Sequence, residues 1–370
     1  MKKYYFILFL FISSVIHAQI VNIPDPNFKS ALISEGVDTN NDGEIQVSEA
    51  EARIELNVSY ANIFSLEGIH SFINLENLRC NNNELTSINV SQNGNLESLY
   101  CNNNQLTSLY LPQNSNLKLL FCHNNQLTDL EISTNSNLEY LLCSGNQLSS
   151  LDLTQNSNLE QLYCSGNQLM SLDISQNPLL KLIHCAENQI SVLNVEQNPL
   201  LERIYCSFNQ LTSLDLSQNS NILELFCMSN ELTELNLSNG NTQNIFSMIA
   251  NNNPDLICIQ VDDETTSFPQ CEINFGWCKD PIASYSENCT FGIEDFNQLS
   301  ITLHPNPTRG LLNIESNEPI EVIKIYTLNG LFIKETTNSL VNVSELKSGL
   351  YIVVISNKFK NRVVKKLIKL

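Results

Sequence analysis

Twelve cysteines are the most reactive side chains of this chain, and their spacing sorts them into two kinds. Eight of them, Cys80, Cys101, Cys122, Cys143, Cys164, Cys185, Cys206 and Cys227, recur every 21 residues. Thiols in such a column have two chemistries open to them: cross-linking their neighbours or holding a soft metal. Neighbouring strands lie roughly 4.8 Å apart, which does not itself forbid a bridge. In-register neighbours, however, point their Cβ atoms in parallel and not toward each other. Zinc wants clustered tetrahedral ligands, which a straight column lacks. The progression therefore predicts reduced, buried thiols that act as small hydrophobes. Cys258, Cys271, Cys278 and Cys289 follow no period. In a loop-rich segment of a chain that opens with an export signal (below), they read as two disulfides, and the nested pairing Cys258–Cys289 with Cys271–Cys278 is expected.

The remaining candidates for chemistry are sparse. The five histidines, at 17, 70, 123, 184 and 304, form no metal-ligand or nucleophile-activating cluster. No Gly-rich phosphate loop follows a strand and no nucleophile elbow is present. No enzyme is expected. Residues 19–299 hold seven Lys/Arg against 34 Asp/Glu, whereas residues 300–370 hold ten against five. So acidic a body excludes nucleic acid, whose affinity comes from cationic contacts to phosphate. The charge step near residue 299 marks a domain boundary.

The elements that carry the cysteines are copies of one unit, Leu-x-x-Leu-x-Cys-x-x-Asn-x-Leu-x-x-Leu-x-Leu-x-x-Asn. One copy runs Leu96, Leu99, Cys101, Asn104, Leu106, Leu109, Leu111, Asn114. Leu99-x-Cys101 predicts a short strand with two inward side chains, and Leu109-x-Leu111 predicts a second. One copy cannot bury its apolar side alone, but stacked copies share a core. The asparagines from Asn83 to Asn230 are complete at every copy, placed to satisfy turn backbone groups. A second series runs from Asn93 to Asn219 and lapses at Gly240. Degenerate copies flank the array, with Ser59 and Met248 in the cysteine slot. This pattern resembles the leucine-rich repeat over residues 53–260, which implies a solenoid of about ten coils.

The residue before each cysteine must point outward. In order these are Arg79, Tyr100, Phe121, Leu142, Tyr163, His184, Tyr205 and Phe226, a largely aromatic column on an open β-face. Soluble proteins seldom expose a contiguous apolar patch without a use for it. The resemblance makes this the concave face, where leucine-rich repeats usually bind a protein or glycan ligand. Cross-strand contacts between the rings would also stabilise the sheet. Glu131, Asp152, Asp173 and Asp215 form an acidic ladder at the outward position of the second strand, expected as a solvated surface.

Residues 38–49 resemble the twelve-residue EF-hand calcium loop, with Asp38, Asn40, Asp42, Gly43 and Glu49 at its defining positions. That resemblance implies calcium held by the side chains of Asp38, Asn40, Asp42 and bidentate Glu49, with Glu44 using its backbone carbonyl and Gln46 acting directly or through water. The entering segment from Asp25-Pro26 to Glu35 predicts a helix with Asp at the N-cap and Pro at N1.

Met1-Lys2-Lys3, the apolar run Tyr4–Ile16 and Ala18 have the parts of a signal peptide. At the other end, residues 300–370 show about seven short alternating strands, a pattern for a β-sandwich. Pro305, Asn306, Pro307, Gly310, Gly349 and the basic Lys365-Lys366 resemble the type A sorting domain of the type IX secretion system. This implies export through the periplasm and release from, or attachment to, the outer-membrane surface. The organisation expected is a signal peptide at 1–18, a helical calcium-loop cap at 19–52, the solenoid at 53–260 and a disulfide-rich cap at 261–292. A linker at 293–299 and the sorting domain at 300–370 complete it. The fold expected is mainly β, and no segment of the mature chain is apolar enough to span a bilayer. The function expected is ligand binding at the cell surface or after secretion, with the secretion machinery as second partner. The alternative is a structural surface or matrix element.

Overall fold

The computed structural model describes residues 19–272, 275–289, 301–316, 319–327, 331–357 and 362–370. The expected signal peptide, the linker and residues 290–292 of the cap lie outside the described residues. The chain divides between Cys289 and Thr290 into two compact units.

In the first unit, three-residue strands stack into one parallel sheet of eleven, from Glu55–Asn57 through Asn77–Arg79 and its 21-residue successors to Glu224–Phe226, then Ser247–Ile249 and Trp277–Cys278. Each strand is short because only its central residue must be buried. Leu78, Leu99, Leu120 and their counterparts are fully buried, as is every cysteine of the column. The sheet therefore continues past residue 260, into the segment expected to be a separate cap.

Register is kept at the ends by changing coil length. Leu56 pairs with Leu78, so buried Val58, and not Ser59, occupies the cysteine slot of the first coil. Met248 pairs with Leu225, which puts Ala250 in that slot in place of the expected Met248. The next asparagine of the first series is accordingly Asn253, whose Oδ1 accepts from Leu232 N–H and whose Nδ2 donates to Cys227 and Ala250 carbonyls. The second series does not lapse either, because Asn239 reaches the Asn219 carbonyl from one position earlier.

The second strand forms only late. Paired strands occur at Ser213–Asp215, Glu234–Asn236, Cys258–Gln260 and Ser284–Ser286, whereas earlier coils show a lone bridge between Tyr110 and Glu131. There, neighbouring coils are joined on this side by single backbone bonds such as Gln105 N–H to Leu85 O, too few for a ladder. Two residues after each cysteine slot the backbone is left-handed. Asn82, Asn103, Asn124, Gly145 and Gly166 suit this conformation, but Tyr60, Glu187 and Phe208 adopt it too.

Helix α1 (Pro26–Ser34) caps the solenoid. Asp25 Oδ1 accepts the Asn27 and Phe28 N–H groups, while its Oδ2 accepts those of Phe64 and Ser65. One carboxylate thus starts the helix and ties it to the first coil. At the other end Asp262 accepts from Gly240, Ser238 and Thr242, and Trp277 Nε1 donates to the Ile245 carbonyl. Cys258 is bridged to Cys289 and Cys271 to Cys278.

The second unit has two antiparallel sheets. Ile301–His304, Leu311–Ser316 and Leu340–Asn342 form one. Phe332–Thr336, Ile320–Thr327, Gly349–Asn357 and Arg362–Lys369 form the other. They share one core that includes Leu312, Ile314, Ile323, Ile325, Val353 and Ile355.

Candidate functional site

The column before the cysteines lies on the open face of the eleven-stranded sheet. Inward Leu and Cys at alternate positions force Tyr100, Phe121, Leu142, Tyr163, His184, Tyr205 and Phe226 outward, each half-buried, and leave Arg79 exposed. Among the described residues of this unit, no helix or strand makes extended contact across this face. Leu142 splits the column into two groups. Tyr100 meets Phe121 edge-to-face at 4.7 Å between ring centroids, and the Arg79 guanidinium stands 5.1 Å from the Tyr100 centroid. Beyond Leu142, Tyr163, His184, Tyr205 and Phe226 continue edge-to-face at 6.0, 5.3 and 5.1 Å.

A second outward column went unremarked in the sequence. Because side chains two apart share a face, Ser98, Leu119, Tyr140, Gln161, Arg203 and Glu224 flank the aromatic column. Tyr205 hydroxyl donates to Glu224 Oε2 at 2.6 Å, and Arg203 Nε stands 3.1 Å from the same oxygen. Burial first, and then the Glu224 carboxylate, push the Tyr205 hydroxyl well up, so it remains a donor. Burial lowers the His184 imidazole below its usual range and keeps it neutral at pH 7. The face is therefore a preformed strip of aromatic groups in mutual edge-to-face contact.

The cysteines behind this face are free and fully buried. Burial pushes each thiol well above its ordinary value, so no nucleophilic thiolate forms. On the opposite side of the coil, the acidic ladder proves to have local work. Asp152 Oδ1 accepts from Thr154 N–H at 2.9 Å and its hydroxyl at 2.7 Å. Glu131, Asp173 and Asp215 take the N–H of Ser133, Ser175 and Ser217 in the same way.

The calcium-like loop lies between α1 and α2 (Val47–Glu51), closed by Gly43 at φ +82°. Asp38 accepts the N–H groups of Asp42 and Gly43, and Glu49 accepts those of Thr39, Asn40 and Gln46. The Asn40 amide nitrogen stands 3.0 Å from Asp42 Oδ2 and 3.1 Å from Gln46 Oε1. Burial would raise the Glu49 carboxyl, but its N–H and hydroxyl donors outweigh that and hold it below its usual range. Among the described residues, no three His, Cys, Asp or Glu side chains converge as metal ligands. The donor set is all oxygen with three carboxylates, which suits a hard cation. Glu44, expected to offer its backbone carbonyl, places its carboxylate on Lys29 Nζ at 2.7 Å.

In the second unit Asn306 ties the sorting motif to the last strand. Asn306 Nδ2 donates to the Lys366 carbonyl at 2.6 Å and its Oδ1 accepts Ile368 N–H at 2.8 Å. Gly310 O accepts Val343 N–H. Pro305 and Pro307 flank Asn306, Gly349 opens the strand paired with the last one, and Lys365 lies on that last strand.

Leucine-rich coils stacked in a solenoid, followed by a small antiparallel β-unit, define a repeat protein with a separate C-terminal unit. Residues 302–370 match the secretion system C-terminal sorting domain. The solenoid is similar to the functional domain of InlJ from Listeria monocytogenes, which includes a cysteine ladder, at 31% identity and a TM-score of 0.57. That likeness covers 66% of this chain, which spans 57% of the InlJ chain. An internalin, InlF, of the same organism is similar in fold, with 20% identity and a TM-score of 0.52 over 67% of this chain and 87% of that one. No curated protein matches the chain. The sorting domain indicates an exported protein, secreted or attached to the surface. No helix among the described residues is long and apolar enough to cross a membrane.

Proposed function

We propose that the protein is a secreted or surface-attached binding protein whose aromatic sheet face recognises a protein or glycan, supporting adhesion. The observation that carries this is the column from Tyr100 to Phe226, half-buried and largely aromatic, on a face that no helix or strand among the described residues of its own unit crosses. Replacing Tyr100, Phe121, Tyr163 and Tyr205 together by Ser tests it. Adhesion of the mature chain to host cells, prey cells or immobilised polysaccharide is expected to fall to background while the variant, with a lowered midpoint, still unfolds in one cooperative transition. Retained adhesion by a folded variant overturns the reading. A structural surface or matrix element is the second reading, favoured by the edge-to-face contacts that let the rings stabilise the sheet by themselves.

The loop at 38–49 is proposed as a structural calcium site, with Asp38, Asn40, Asp42, Gln46 and Glu49 as side-chain ligands and Glu44 as backbone ligand. The support is its oxygen-only donor set and its position between the two helices of the N-terminal cap. Titration calorimetry with calcium on the chelator-treated chain is expected to show binding heat and a raised unfolding midpoint. Neither effect appearing rejects the assignment.

A further inference from the structure

The residue that follows the first buried leucine of each coil forms a rim beside the aromatic strip. In order it is Glu76, Glu97, Lys118, Glu139, Glu160, Lys181 and Glu202, so acid, acid, base repeats over three coils. Lys118 Nζ lies 2.8 Å from Glu97 Oε2, and Lys181 Nζ lies 2.8 Å from Glu160 Oε2. Each lysine neutralises its neighbour one coil back. Glu76, Glu139 and Glu202 are left without an ion pair among the described residues.

Four of the seven Lys/Arg in residues 19–299 lie on this face or its rim: Arg79, Lys118, Lys181 and Arg203. All four are engaged, three with carboxylates and Arg79 with the Tyr100 ring. The strip thus already accommodates a guanidinium on its rings, and what remains on the rim is single negative charges at regular intervals. Three coils at roughly 4.8 Å each separate those charges by about 14 Å. An extended chain rises roughly 3.4 Å per residue, so four residues span that distance, and an even interval returns side chains to the same side. A helix would need about nine residues at 1.5 Å each, and nine steps of roughly 100° bring the side chain to the opposite face.

We propose that this face binds an extended cationic polypeptide segment, with Lys or Arg at every fourth residue, laid along the stacking direction of the coils. The cations meet Glu76, Glu139 and Glu202, and the residues between them lie over the aromatic strip. This rests on the reading of the strip as the ligand face and names the chemistry of the ligand.

The test uses the mature chain and two synthetic peptides of Gly, Ser and Thr carrying three Arg, placed at every fourth residue in one and adjacent in the other. At about 0.15 M salt, anisotropy titration is expected to show the spaced peptide binding about tenfold tighter than its isomer. The joint variant E76Q, E139Q and E202Q, with an unchanged Trp277 emission midpoint, is expected to lose that preference. Equal affinity for the isomers, or an undiminished preference in the variant, overturns the proposal. The Ser-substituted strip separates the two ideas. If adhesion depends on Tyr100, Phe121, Tyr163 and Tyr205 while the spaced peptide fails to bind, the cationic ligand is wrong and the ligand face stands.

Discussion

Each coil has two halves that solve the same backbone problem differently. On the open-sheet half, neighbouring strands exchange a continuous ladder of backbone bonds, and the asparagine after each cysteine is satisfied at both ends of its amide. Asn146 Nδ2 donates to the Cys122 and Cys143 carbonyls while its Oδ1 accepts Leu127 N–H. On the opposite half, strand pairing is confined to the last coils. Asn156 there donates to the Ile132 and Asn135 carbonyls, but its Oδ1 has no partner among the described residues, and the same holds from Asn93 to Asn219. Outward carboxylates on that half are occupied with their own turns. The open-sheet half owes its order to bonds between coils, so its outward side chains contact one another and not their own turns.

The largest expected effect compares the two asparagine columns. Asn146→Ala strands the Leu127 N–H in a buried site, where an unpaired group costs about 1–3 kcal/mol, while the Cys122 and Cys143 carbonyls keep their bonds from Asn125 and Asn167. Asn156→Ala leaves the Ile132 and Asn135 carbonyls with the N–H groups of Asn135 and Leu138 and removes an unpartnered buried oxygen, so the loss is expected to be smaller by about 1–3 kcal/mol. Denaturant unfolding followed by Trp277, the single tryptophan and buried near the end of the solenoid, measures both. Equal losses would mean that the two halves do not differ in this way.

Much of this asymmetry could be read from the sequence and part could not. The 21-residue period fixes the sheet, the inward cysteines and the outward aromatic column, because strand alternation leaves no freedom once Leu and Cys are buried. The coil ends escaped it. Val58 and Ala250 take the cysteine slot because the terminal coils gain a residue or two, and a rigid period steps onto Ser59 and Met248 instead. Asp152 and its counterparts looked merely solvated, since period alone does not distinguish a free carboxylate from one capping the turn two residues on. The acid, acid, base rim needed a comparison across three coils. At the 38–49 loop, residue types alone left open how far the side-chain oxygens spend themselves on nearby N–H groups.

An intermediate effect comes from acid. Donated bonds, first from Thr154 and Ser175 N–H and for Glu131 from the Ser133 side chain, hold Asp152, Asp173 and Glu131 below their usual range. A depressed folded pKa contributes stability that is present above the unfolded value, near 3.8 for Asp and 4.5 for Glu, and is lost as pH falls through the folded one. The turns of the opposite half should therefore loosen first. Hydrogen exchange from pH 6 down to pH 3, corrected for intrinsic rates, is expected to show protection falling at Thr154 and Ser175 while amides of the open sheet such as Cys143 hold. Parallel loss on both halves would remove the distinction.

The smallest expected effect is the sharpest comparison. Asp152→Ala removes two hydrogen bonds from a fully exposed turn, so the unfolding midpoint should move by little more than experimental scatter, and adhesion should not change. Tyr163→Ser, one strand position before Cys164, breaks one edge-to-face contact with His184 and opens a gap in the strip. Its stability change is expected to be about 0.5–1.5 kcal/mol, the worth of an aromatic pair beyond its burial. Its adhesion, by contrast, should drop severalfold. The two substitutions lie eleven residues apart in the chain, yet they are expected to separate the roles. A side chain committed to its own backbone is thus expected to be lost with slight cost to the fold and none to adhesion, whereas loss of a ring from the strip is expected to cost adhesion first.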